Sequence, residues 1–407
     1  MRSKKSILII IILITSIILS SCVGSRELNE IGIVMSTGID YRDGKIIVTN
    51  EVMTPSASTS DNTEKNEVMY VQSVGDTIFE ALRNTTLTFD RRLFLSHNRV
   101  IIFGEEFAKR GIGDYINFYL YDAEPRESAY MLVSKGAMAY EVMGINAGLS
   151  DSPGRYLESL VENYEHTSKT SSITFNEYFR YFFERGTPVL GIVQIVEKEE
   201  INKEKENKNK LALNVAGGAV FNEDTLVGYY SDDEMIGFNF IVNEIDGGLI
   251  IFETPDQETN LKRIATKGKY TTLEIKNSKT KNKIEIINGE INLYINVTLK
   301  GVIGEETKGL ELTELNVVDA IEKACSNQVK KYISMTMDKA QKEFKLDTFG
   351  IDALFHREYP EIWRDISNNW RGVFPSINYN VNVETNILRT GLIDIPSNIK
   401  KGEKNAH

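Results

Sequence analysis

Four histidines and two cysteines in 407 residues leave this chain poor in the side chains that most often carry chemistry. His97, His166, His356 and His407 are never closer than 51 residues, so a histidine-based metal site has little support. His97 follows Leu93-Phe94-Leu95-Ser96 just before an apolar strand, the setting of a structural histidine. HExxH, Walker A, GxSxG, GxGxxG and paired CxxC patterns are missing, which argues against the commonest hydrolases and nucleotide or dinucleotide binders. The 58 carboxylates are too many to single out a catalytic pair. No catalytic, cofactor-binding or metal-ligating residue is therefore expected. The two cysteines are Cys22 and Cys325, and a formal net charge of −11 excludes unspecific nucleic-acid binding.

What is present begins at the N-terminus. Arg2, Lys4 and Lys5 precede an apolar run from Ile7 to Leu19, broken only by Thr15 and Ser16. As a helix this run rises only about 20 Å against a hydrocarbon core of roughly 30 Å, so export is a better reading than a permanent span. Leu19-Ser20-Ser21-Cys22 resembles the lipobox of bacterial lipoproteins. In that family the cysteine thiol receives a diacylglycerol and becomes the mature N-terminus, and two acyl chains give stable anchoring where one gives only marginal binding. With residues 1–21 removed, Arg2, Lys4 and Lys5 go and the formal net charge moves from −11 to −14. A body so charged is weakly repelled by anionic lipid, and with Cys22 acylated no internal disulfide is available.

Along the mature chain, strands are predicted at Ile31–Ile39 and Lys45–Met53 with Asp43-Gly44 at the turn, and near Val68–Gln72, Asn98–Phe103 and Ala129–Ser134. Helices are predicted near Thr77–Phe89, Glu105–Tyr121 and Pro153–Tyr164, and at Phe175–Arg185, where Thr174 and Glu177 make a capping box and Gly186 suits the C′ position. Residues 22–196 thus read as an N-terminal α/β domain. Between 197 and 210, 10 of 14 residues are Lys or Glu, which marks a solvated linker or hairpin loop. Residues 211–396 read as a C-terminal α+β domain, with a further division near 301 as the alternative, and 397–407 as a polar tail. Its strands are Leu211–Phe221, Thr225–Tyr230, Gly248–Glu253, Tyr270–Lys276, Lys283–Ile287 and the strictly alternating Glu290–Lys300. A helix from Glu314 to Phe344 carries one apolar stripe that includes Cys325. A short helix bracketed by Pro360 and Gly372 places Trp363 and Trp370, the only tryptophans, on one face. They either pin the helix to the sheet or form a partner contact. Ile377 to Ile387 alternates with an asparagine row as a last strand. The fold class expected is α+β and multidomain, with mixed and antiparallel sheets and packed helices.

Several short motifs follow one another along the chain: Arg26-Glu27-Leu28-Asn29, Gly38-Ile39-Asp40, Arg91-Arg92-Leu93-Phe94 with His97, Gly218-Ala219-Val220-Phe221 and Leu226-Val227-Gly228. The end of the chain adds Asp347, Phe349-Gly350, Tyr359-Pro360, Trp363, Trp370, Phe374-Pro375, Arg389 and Gly391. In their order and spacing they resemble the Ger(x)C family of spore germination lipoproteins. Two departures are visible: Val23-Gly24 replaces the Trp-Asp common after the lipid cysteine, and Asp352 stands where a second glycine is expected. The resemblance implies a non-catalytic, lipid-anchored C subunit of a nutrient germinant receptor on the outer face of the spore inner membrane. Its partners would be the integral-membrane A-type and B-type subunits, and no cofactor is implied. A solute-binding lipoprotein of an importer is the alternative, disfavoured because residues 211–300 lack repeating βαβ units; an extracytoplasmic hydrolase is less supported still.

Cys22→Ala is expected to yield a precursor that incorporates no labelled fatty acid and loses function. Equal labelling of the two forms would sink the anchor.

Overall fold

The computed structural model describes residues 30–53, 68–121, 126–150, 152–184, 188–198, 211–256, 269–306, 310, 312 and 314–389. The signal segment, Cys22, Arg26 to Asn29, the polar stretch from Thr54 to Asn66, Gly186, residues 199–210, Gly391 and the tail lie outside the described residues.

A first, nine-stranded sheet contains β1 (Ile31–Arg42), β2 (Lys45–Met53), β3 (Val68–Gly75), β4 (Arg92–Phe94), β5 (Val100–Gly104), β6 (Tyr130–Ser134), β7 (Val189–Glu197), β8 (Leu211–Asn222) and β9 (Thr225–Tyr230). Their order is β3-β2-β1-β5-β6-β7-β8-β9, with β4 also beside β1. The central β1, β5, β6 and β7 run parallel, and antiparallel strands extend the sheet on both sides. Asp43 and Gly44 close the first hairpin with positive φ of 53° and 81°, as their Asp-Gly sequence predicts.

The central strands are apolar at consecutive positions because both faces are covered. Ile101, Phe103, Met131, Val133, Leu190 and Ile192 face one core, closed by α1 (Ile78–Asn84), α2 (Glu105–Arg110) and α3 (Gly113–Tyr121). Val100, Ile102, Leu132 and Val193 face the other, beneath α4 (Ala139–Met143) and α5 (Pro153–Glu162). The expected helix over 105–121 is broken at Gly111, whose φ of 124° no L side chain adopts readily. Two buried carboxylates fasten the second layer of helices. Asp40 accepts from the N–H of Ala139 (2.8 Å) and Tyr140 (3.2 Å), and Glu51 accepts from Ser36 Oγ (2.6 Å), Ser152 Oγ (2.5 Å) and the N–H of Gly154 (2.8 Å). Burial raises both above the usual carboxylate range, and the donors offset part of that cost.

α6 (Phe175–Glu184) begins at the predicted capping box, with Glu177 Oε2 accepting from the N–H of Thr174 at 2.9 Å. Residues 211–230, expected at the start of the C-terminal domain, belong to the first sheet. β8 pairs with β7 from Val189↔Val220 to Glu197↔Leu211, so residues 198–210 connect hairpin partners.

The second sheet has the order β10-β11-β12-β13, from β10 (Leu249–Glu253), β11 (Tyr270–Ile287), β12 (Glu290–Glu306) and β13 (Asn378–Arg389). β11 is one strand where two were expected. Its polar middle from Asn277 to Asn282 stays paired with β12 across a bulge, and Asn288-Gly289 turns the hairpin with positive φ. One face is wet: Asn378, Asn380, Asn382 and Glu384 are exposed. The other carries Leu273, Ile284, Leu293, Ile295, Val297 and Leu299 against the apolar stripe of α8 (Leu315–Asp338).

Between the sheets lies α7 (Asp232–Val242), opened by a capping box of Ser231 and Glu234 and buried along nearly its whole length. Met235 and Phe238 pack on the first sheet, while Ile236, Phe240 and Ile241 pack on the core of the second. At Gly237 the helix crosses so close to α8 that a Cβ would overlap the Tyr332 carbonyl and Thr336 Oγ1. Gly237→Ala is therefore expected to destabilise the chain by roughly 2–3 kcal/mol through overpacking. Were the site open, the better helix propensity of alanine would stabilise by about 1 kcal/mol, so chemical denaturation decides by the sign alone.

Candidate functional site

The tryptophan segment is built from a buried aspartate outward. α8 passes into a π-helical turn, Lys339–Phe344, and ends at Lys345 with φ 53°. Asp347, buried just beyond, accepts hydrogen bonds from the backbone N–H groups of Phe349 (3.0 Å), Ile351 and Asp352 (2.7 Å). It thereby caps α9 (Ile351–Glu358), which starts after a left-handed Gly350. The expected helix from Pro360 to Gly372 exists in two pieces, α10 (Pro360–Ile366) and α11 (Trp370–Val373), separated by a 3₁₀ turn at Ser367–Asn369; Gly372 lies inside the second.

That break takes Trp370 off the surface. Its Nε1–H donates to Asp347 Oδ2 at 3.1 Å and its side chain is in the core, 9 % exposed. Trp363 meets it edge-on at 5.2 Å, with the ring of His356 stacked on Trp363 at 5.6 Å. The two tryptophans are brought together as the sequence predicts, but not as a shared free face. Trp370 is a core residue whose only polar atom is committed to Asp347. The half-buried Trp363, beside Ile362 at 41 % exposure, is what remains at the surface.

Asp347 was visible in the sequence only through the family resemblance; the local signal is an aspartate placed to cap the turn that follows. Its neighbour Asp352 takes the place of the expected glycine. Burial, and then the charge of Asp347, push the Asp352 carboxyl up to about 7. Burial raises the Asp347 carboxyl as well, and its four donors offset part of that cost.

Cys325 is buried in the apolar stripe of α8 and burial pushes its thiol up to about 12, which removes it as a nucleophile near neutral pH. Among the described residues no group of three His, Cys, Asp or Glu is placed to hold a metal ion. None of their helices is long and apolar enough to cross a membrane. Two adjoining cavities of about 90 and 290 Å³ share Tyr181 and Val242 between α6, α7 and α9. His97 is exposed, its ring 5.7 Å from Phe94. Arg92, Leu93 and Phe94 form β4, in parallel register with Ile31, Gly32 and Ile33 at the start of β1.

Comparison with known proteins places this architecture. Residues 24–195 match the family model described as "Spore germination protein N-terminal domain", and residues 216–391 match "Spore germination B3/ GerAC like, C-terminal". The chain belongs to the Ger(x)C family of spore germination proteins. It is 25% identical to spore germination protein KC of Bacillus subtilis (strain 168) over 97% of this chain and 98% of that one. Identity to spore germination protein B3 of the same organism is 24%, over 92% and 95%. To spore germination protein A3 it is 23%, over 92% and 96%. The crystal structure of the GerBC protein shares the fold, with a TM-score of 0.56 and 19% identity over 86% of this chain and 96% of that one. The expected α+β class with mixed and antiparallel sheets is thus the fold observed.

The raised carboxyl makes a signed prediction. Asp352 ionises near 4 in the unfolded chain and at about 7 in the folded one, so its contribution to stability is complete below pH 4 and is lost as pH rises through 7. Asp352→Asn keeps the acceptor used by the Ala353 N–H and removes the repulsion. Urea midpoints at pH 5 and 8 are expected to diverge less in the variant, which gains up to about 4 kcal/mol at pH 8. An unchanged difference between the two pH values would overturn this account.

Proposed function

We propose that the chain is a lipid-anchored, non-catalytic C subunit of a nutrient germinant receptor, supporting assembly or signalling beside integral-membrane A-type and B-type subunits. Its body stands on the outer face of the spore inner membrane, held by a diacylglycerol on Cys22. The observation that carries this reading is the match of both halves of the chain to spore germination family models. The lipobox-like Leu19-Ser20-Ser21-Cys22 ahead of them adds the membrane. Binding work suits the body, because its buried carboxylates are engaged in capping helices and its buried thiol is inert near neutral pH. An anchor in the same bilayer as the partners raises their effective concentration, so modest contact energies suffice. Trp363, with Ile362 beside it and Trp370 supporting it from the core, is the proposed contact.

Deleting the gene is expected to leave spores formed but slow to lose optical density when nutrients are added. The purified chain is expected to turn over no substrate. Normal nutrient germination of the deletion strain, with every redundant receptor removed, would defeat the receptor reading.

A further inference from the structure

We propose that the larger cavity between α6, α7 and α9 binds a small amino or hydroxy acid with an apolar side chain, its carboxylate held by Arg357. This goes beyond the assembly role proposed above and rests neither on the lipid anchor nor on the receptor reading. The cavity measures about 290 Å³. At ~30 Å³ for each water, that is room for roughly ten non-hydrogen atoms. Tyr181 in its wall comes from α6, which packs on the first sheet through Phe175 and Tyr178. Its other walls come from α7, the middle of β11 and the start of α9. A cleft between two packed units is the usual place for a small ligand.

Arg357 is the only charged side chain among the described residues of that wall, so the cavity selects an anion. It is exposed and makes no ion pair or hydrogen bond with any described residue, which leaves its fork of N–H donors uncommitted. A carboxylate is the anion that such a fork grips with two parallel bonds. Val242, Phe349, Ile351 and Leu354 make the rest of the wall apolar, which favours an organic acid over inorganic phosphate.

Asn282 supplies the third contact. It lines the same cavity, and its Nδ2 donates to the Ile241 carbonyl at 2.9 Å, whereas its Oδ1 is buried with no hydrogen-bond partner among the described residues. Such an orphan acceptor is rare because it is costly, and an amine or hydroxyl beside the ligand's carboxylate is the donor it lacks. The adjoining cavity of about 90 Å³ carries Glu177 and Glu244 beside Arg180, and is the less suited to an anion. A cation in the last turn of α9 also favours the helix dipole, but that role asks only for charge, whereas a bound carboxylate asks for the guanidinium geometry.

The test is a ligand-detected NMR titration of the full lipidated chain in phosphatidylcholine nanodiscs with L-leucine and with L-leucate, its hydroxy analogue. Saturable binding is expected for both. Isocaproate, which lacks the amine or hydroxyl, should bind several-fold more weakly, and isopentylamine, which lacks the carboxylate, should not bind. R357Q is expected to weaken binding by at least about tenfold and R357K several-fold, with urea midpoints close to wild type because Arg357 has no partner in the fold. A353F, which fills the cavity from a half-buried position on α9, should abolish binding, with its own urea midpoint as the check that it folds. Unchanged leucine affinity in R357Q and in folded A353F would move the binding elsewhere and overturn the site. Inorganic phosphate binding as tightly as leucine would make the cavity an unspecific anion seat and overturn the ligand class. No saturable binding of any of the acids would leave the cavity to solvent and overturn the proposal, while the receptor reading is still judged by germination of the deletion strain.

Discussion

The crossing of α7 over α8 at Gly237 is the contact on which the rest of the structure depends. Backbone meets backbone there, because no side chain stands between Gly237 and the Tyr332 carbonyl. The same turn is tied by Thr336 Oγ1 donating to the Glu234 carbonyl at 2.7 Å and by Lys339 paired with Glu234 at 2.8 Å. On the opposite side, Asn239 Nδ2 donates to the carbonyls of Ser168 and Thr170, both at 2.9 Å. One helix thus touches two cores at once, and a side chain at its closest point would have to push the cores apart.

A second recurring device is the buried carboxylate placed at the beginning of a helix. Asp40 serves α4, Glu51 serves α5 and Asp347 serves α9. Each sits in a strand or turn distant in sequence from, or just ahead of, the helix it caps, and each trades hydration for two to four N–H or O–H donors. The trade leaves a charge that is costly to move, so these helices are held in one orientation. Such rigidity suits the proposed role of presenting surfaces to partner subunits. Asp352 is the exception: it adds a second carboxylate beside one already satisfied, and burial, followed by that crowding, raises its carboxyl.

The tryptophans illustrate how far a helical wheel can mislead. Spacings of seven residues from Trp363 and four from Ile366 place Trp370 on a common face only if the helix is unbroken. The 3₁₀ turn at Ser367–Asn369 rotates the chain, and the indole N–H finds Asp347, 23 residues away in sequence. No local pattern encodes that partner, because the hydrogen bond is worth forming only after α8 and α9 have packed.

From the sequence alone the strands with regular alternation, the capping box of Thr174 and Glu177, the Asp43-Gly44 turn and the long apolar stripe through Cys325 were legible, since each is written in neighbouring residues. The family was legible too, in the order of short motifs, and so was the likeness of Leu19-Ser20-Ser21-Cys22 to a lipobox. Tertiary structure decided the assignment of β8 and β9 to the first sheet, the continuity of β11 through its lysine-rich middle, and the burial of Trp370. It also set Asn282 and Arg357 around one cavity between α6, α7 and α9. The reason is common to all four: local sequence specifies which face of an element is apolar, whereas which partner covers that face, and which polar groups it brings along, depends on contacts between residues far apart in the chain.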